Sequence, residues 1–191
     1  MASSRLGHIL AIVFLSGLLS SPAVAQQRWI QLSLVTPIQI FPEADSIAGV
    51  RINLIYGRNV SMVGFDLGVV NHTTTGTFKG FQVGIAGISD SAFMGLQHNW
   101  FNVTGGKLEG AQSGFVNLAG SAGGFQGGWL NHVGAIKGFQ LGMVNYAENM
   151  GGFQLGIVNY AKRTNGLQIG LVNIIKEGGA FPFFPIVNWS F

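Results

Sequence analysis

The residues able to do chemistry are few and scattered. His72 and His132 each directly follow an asparagine that recurs along the chain. They stand in the slot that Tyr146 and Tyr160 fill elsewhere, which reads as polar-aromatic variation at a strand end. His98 lies away from that slot, and no third ligand accompanies the other two, so a zinc centre with its three or four converging ligands is not expected. No GxSxG occurs, and each serine sits in a turn or between apolar residues, so a serine triad has no scaffold. The chain has no cysteine, which removes disulfide scaffolds, cysteine-ligated metals and thiol catalysis. No phosphate-binding GxxxxGK[ST] and no calcium-binding Gly-Asp nonapeptide appears. Asp66 replaces a recurring glutamine, as a pore-lining charge or, the favoured reading, as a tolerated isostere. Arg51 and Arg58 could pair with Asp66 or hold lipid phosphate, but surface solvation is the expectation. No catalytic residue, cofactor site or metal ligand is assigned.

The elements that carry these residues are repeats. Gly64, Gly80, Gly95, Gly110, Gly124, Gly138, Gly152 and Gly166 each open a unit of the form Gly-apolar-Gln-x-Gly-x-Val-Asn. The glutamines include Gln140, Gln154 and Gln168, and the asparagines include Asn145, Asn159 and Asn173. Two units depart from the pattern: Gly87 stands where the asparagine is expected, and Asn99 where the second glycine is expected. Each core of about ten residues alternates, with Phe139, Leu141, Met143 and Asn145 against Gln140, Gly142, Val144 and Tyr146, and reads as a strand. The stretches between cores are turn-forming and hold much of the charge. Glycine occurs 30 times, which argues against helices, where each interior Gly costs about 1 kcal/mol relative to Ala. The chain is therefore expected to be all-β: N-terminal strands in 26–63, eight tandem repeats in 64–179, and a closing strand in 180–191.

Two closures of such an array are open. One is an up-and-down β-barrel of about 10–12 short strands in the outer membrane, since ten-residue cores match a tilted membrane strand. Val187, Trp189 and the final Phe191, at two-residue steps, then read as a membrane-insertion signal. The other is a β-solenoid with about 14 residues per coil, in which Gln and Asn stack as ladders. Against the solenoid, its outer face should carry more charge than these cores have. Which strand face is outward stays open.

Residues 1–25 read as a secretory signal peptide, with Arg5, an apolar run over 9–19 and an Ala-Val-Ala cleavage site at 23–25. Removing it leaves Lys+Arg at 9 against Asp+Glu at 7, a net charge of +2, too weak a bias for nucleic acid.

The tandem units, the opening VRINLIYGRN and the closing FFPIVNWSF resemble the bacterial surface-repeat-containing proteins. That resemblance implies an exported, surface or outer-membrane location and no defined chemistry. The function expected is a non-catalytic structural protein of the bacterial surface, possessing at most a narrow pore. Outer-membrane lipid and the barrel-assembly machinery are its partners in the barrel reading. In the alternative it is a periplasmic or cell-surface solenoid module that binds a protein or glycan.

Overall fold

The computed structural model describes residues 26–191, so the signal-peptide expectation lies outside the described residues. The strands are β1 (Gln27–Val35), β2 (Ile38–Gln39), β3 (Ser46–Asn59), β4 (Met62–Thr73), β5 (Phe78–Ser89), β6 (Phe93–Glu177) and β7 (Phe183–Ser190). β1, β3, β4, β5 and the start of β6 pair in parallel, each with the next. Strand pairing then runs unbroken through 85 residues of β6, which winds through successive coils. The fold is a β-solenoid. An up-and-down barrel needs antiparallel neighbours, and among the strands of the described residues β2 and β7, at the two ends, are the ones that pair that way. The near-constant period decides the matter physically: each unit lies in register on the one before, Gly64 on Gly49, Gly80 on Gly64 and Gly95 on Gly80.

One coil has two short sides and two corners. The ten-residue core, read above as a single alternating strand, contains one of those corners. Gln140 and Asn145 are both buried although five residues apart, an odd spacing that alternation forbids. Two successive exposed residues, Met143 and Val144, flip the parity between them. The inward set is therefore Gln140 with Asn145, and Phe139, Leu141 and Met143 point out. The second corner falls between Ala147 and Met150, both buried, with Glu148 and Asn149 exposed. The spacing along the glutamine column is 16 from Asp66 to Gln82, then 15 twice, then 14, and these extra residues are in this second corner, as at 74–77.

The repeat glycines form one column, and it begins a coil earlier than the sequence suggests, at Gly49. Every member from Gly49 to Gly166 has φ between +123° and +152°, a region closed to other residues. A Cβ on any of them after Gly49 would also run into the carbonyl oxygen of the glycine one coil earlier. Backbone stacks on backbone here without intervening side chains.

The ends are covered. β2 folds back on β1, and β7 lies antiparallel on the last coil, pairing Leu167 with Trp189 and Gln168 with Asn188. The terminal strand therefore does not continue the repeat, and Asn188 is not a member of the asparagine column. Val187 is half-buried opposite Ile169, Trp189 packs edge-on against Phe181 at 6.2 Å, and Phe191 is exposed.

Gly138→Ala should destabilise the fold by about 1–3 kcal/mol from backbone strain alone, before the clash with Gly124 is added. Gly123→Ala, whose Cβ would meet nothing nearer than the Leu108 carbonyl at 4.0 Å, should unfold within about 0.5 kcal/mol of wild type. Urea titration followed by circular dichroism compares the two.

Candidate functional site: an uncharged edge backed by amide ladders

Inside each coil, the glutamine and asparagine amides form two continuous ladders. Gln97, Gln112, Gln126, Gln140, Gln154 and Gln168 each donate Nε2 to the Oε1 of the glutamine one coil earlier, at 2.6–3.0 Å. The second amide hydrogen of Gln140, Gln154 and Gln168 goes to a backbone carbonyl, for instance that of Tyr146. The asparagines run the opposite way. Asn102, Asn117, Asn131, Asn145 and Asn159 donate Nδ2 forward to the Oδ1 of the next coil at 2.8 Å. Their spare hydrogens reach carbonyls of that next coil, such as Leu155 for Asn145. The two ladders thus carry opposed amide dipoles.

The glutamine ladder ends on a charge. Gln82 donates to Asp66 Oδ2 at 2.9 Å, and Arg51 grips both oxygens of Asp66 at 2.7 and 2.8 Å. Arg51 and Asp66 are each fully buried, and they occupy the glutamine column between Gln31 of β1 and Gln82. Arg51 further donates to the His72 carbonyl and Thr73 Oγ1, and Asn53 Nδ2 donates to Asp66 Oδ1. The expected surface solvation of Arg51 is corrected: the donor ends of the stacked amides favour an anion at this position, and the anion requires Arg51. Arg58 does lie at the surface, 3.5 Å from Glu43.

The two irregular units compensate each other. The second glycine of each repeat points inward, into space that the asparagine amides fill: a Cβ on Gly142 would meet Asn131 Nδ2. Gly87 lacks that amide, and Asn99, in the glycine slot of the next coil, supplies it. Asn99 Nδ2 donates to Gln82 Oε1 at 3.2 Å and Asn102 Oδ1 at 2.8 Å, joining the two ladders. Asn53 plays the same part beside Gly57, donating to Asn71 Oδ1 at 2.7 Å.

The histidines do not converge. His132 stacks on Tyr146 at 4.7 Å, and Tyr146 on Tyr160 at 4.9 Å, continuing one outward column. His72 joins a surface relay: the Tyr56 hydroxyl lies 2.8 Å from Nδ1 and Asp90 Oδ2 lies 2.9 Å from Nε2. Burial raises the Tyr56 pKa, which disfavours its phenolate. Among the described residues no cluster of three His, Asp or Glu side chains could hold a metal. In the turn before β3, Asp45 is held below its ordinary carboxylate pKa by the Arg28 side chain and by the Gln26 backbone N–H.

The outer wall is sorted by charge. The segments that form the glutamine-side corner, 67–70, 83–86, 98–101, 113–116, 127–130, 141–144, 155–158 and 169–172, contain no Asp, Glu, Lys or Arg. They expose Val69, Ile85, Met143, Ile157 and Leu171 in one line, and in the middle coils Trp100, Phe115 and Trp129, whose rings touch edge-to-face at 5.8 and 5.0 Å. The opposite corner and the positions beside it carry Lys107, Glu109, Lys137, Glu148, Arg163 and Glu177. Behind that charged edge the interior is apolar, a column from Ile47 through Phe78 and Phe93 to Met150, with the two phenylalanine rings stacked at 4.4 Å. Behind the uncharged edge lie the amide ladders. The sequence places much of the charge between the cores, but the corner inside each core, which makes the rest an uncharged edge, is not read from it.

Two variant sets test the interior. Asn99→Gly should leave a buried gap and cost about 1–3 kcal/mol. Gly87→Asn should clash with Gln82 and Asn99, and the double variant should recover stability by restoring the regular pattern. Arg51→Gln alone should cost about 3–5 kcal/mol by leaving Asp66 uncompensated, whereas Arg51→Gln with Asp66→Gln, which extends the ladder, should recover most of it. Urea unfolding reads both cycles.

No family model, no curated protein and no solved structure matches this chain.

Proposed function

We propose that this chain is an exported, non-catalytic β-solenoid that works by surface contact, as an interaction module of the bacterial periplasm or cell surface. The observation that carries the reading is the uncharged edge. Soluble monomers rarely expose contiguous apolar patches beyond a few hundred Å². Here a line of apolar side chains runs the length of the stack and is continuous with Phe139, Leu141 and Leu155 on the flank. A solenoid supplies such a surface at low cost in order, because each coil fixes the next and the contact residues stand on ladders, not loops. The leader features of 1–25 support export, and the likeness of the tandem units to the surface-repeat proteins supports the same address.

Expression of the full chain in a Gram-negative host tests this. The mature protein should begin at Gln26 by mass spectrometry and should sediment with the particulate fraction. Met143→Glu with Ile157→Glu should release it into the soluble fraction with its circular dichroism unchanged. A chain that keeps residues 1–25, or one whose soluble share is the same with and without the two glutamates, would overturn the proposal.

A further inference from the structure

Cut across one coil, the molecule changes its solvent logic halfway. Passing from the charged corner inward, charges give way to buried Ile136, Val133, Ala147 and Met150, the order expected of a protein in water. Beyond them the order reverses. Buried Gln140 and Asn145 spend their amide hydrogens inside the coil, and outside them stand Leu141, Met143 and Val144. Polar groups satisfied internally under an apolar exterior is the arrangement that a hydrocarbon surrounding demands. The inversion recurs in the stacked coils, so it belongs to the architecture and not to one patch.

We infer that the uncharged edge is seated in a lipid bilayer, with the solenoid axis along the membrane plane and the charged edge in water. This rests on the surface-contact reading above and names its partner. Three features favour lipid over a protein. The apolar line from Val69 to Leu171 crosses eight coils, about 34 Å at about 4.8 Å per step, and follows no local contour. It offers few polar side chains, chiefly His98 and Ser113, whereas protein interfaces carry about one hydrogen bond per 100–200 Å² to fix register. Its exposed indoles, Trp100 and Trp129, suit the boundary between acyl chains and headgroups. The charged edge mixes both signs, Lys107 with Glu109 and Arg163 with Glu177, so attachment comes from apolar insertion and not from anionic headgroups.

The test uses the mature chain, diluted from urea into vesicles of zwitterionic phosphatidylcholine. It should float with the vesicles, and flotation should persist in high salt. Lipids brominated on their acyl chains should quench the fluorescence of Trp100 and Trp129, read in variants that keep only those two tryptophans. Met143→Glu with Ile157→Glu should lower the bound fraction at least tenfold, and Lys137→Glu should leave it unchanged. A chain that stays below the vesicles as a defined dimer dissociated by the same two glutamates would overturn the lipid inference and leave the surface-contact reading standing. A folded monomer bound to no vesicle would overturn the lipid inference and leave the surface-contact reading with a partner other than lipid. Vesicle binding abolished by salt or by Lys137→Glu would place attachment on the charged edge and overturn the inference.

Discussion

A buried side-chain amide without partners costs about 1–3 kcal/mol, and this solenoid buries one glutamine and one asparagine in nearly every coil. Each is satisfied only if the next coil returns to the same register. That demand explains the fixed columns and the close glycine stack. From β4 onward the variation in coil length falls in the corner that holds no ladder; the extra residue of β3, between Asn53 and Tyr56, is the exception. Apolar columns would tolerate sliding; amide ladders give each coil one correct position on its neighbour. The residues that interrupt a ladder obey the same demand, since Asn99 and Asn53 restore amides that Gly87 and Gly57 omit.

The ladders also have direction. Stacked glutamine amides place their donor ends toward the N-terminus and the asparagines place theirs toward the C-terminus, so the two dipole rows oppose each other within one coil. The β4 coil meets the glutamine donors with Asp66, and burial of that carboxylate makes Arg51 of the β3 coil obligatory. At the far end, Gln168 Oε1 has no partner and Asn173 donates to the Phe184 carbonyl of the capping strand. The glutamine ladder therefore starts from an ion pair that sits above Gln31 of β1, and a folded-back strand, β2 or β7, covers each end of the stack. Pro185 and the positive φ of Ile186 make that strand a poor template for further pairing.

Much of this was legible in the residues, and the misses have one cause. The period, the all-β class and the stacking of Gln and Asn follow from the repeat itself. The orientation of the faces did not follow, because alternation was carried straight through Gly142-Met143-Val144. The signal was present: Gln140 and Asn145 differ by an odd number, so both can face inward only if a corner lies between them. The scarcity of charge counts against a solenoid only if the charge is spread evenly around the coil. The structure removes the objection by gathering the charge on one edge. The pairing of Arg51 with Asp66 is not singled out by the residues, because nothing in the sequence marks their column as the interior.

The inversion across the coil has a further consequence for folding. A chain whose apolar side chains face both the interior of one half and the exterior of the other cannot be arranged by hydrophobic collapse alone, since collapse does not distinguish Met143 from Met150. The distinction comes from the amides. Only when Gln and Asn find their ladder partners are Leu141, Met143 and Val144 turned outward, and only then does the uncharged edge exist as a surface. Formation of the edge is thus coupled to stacking, coil by coil. An isolated unit has neither the ladder to hold its amides nor the continuous apolar line, so the length of the array and the presence of the surface are the same property.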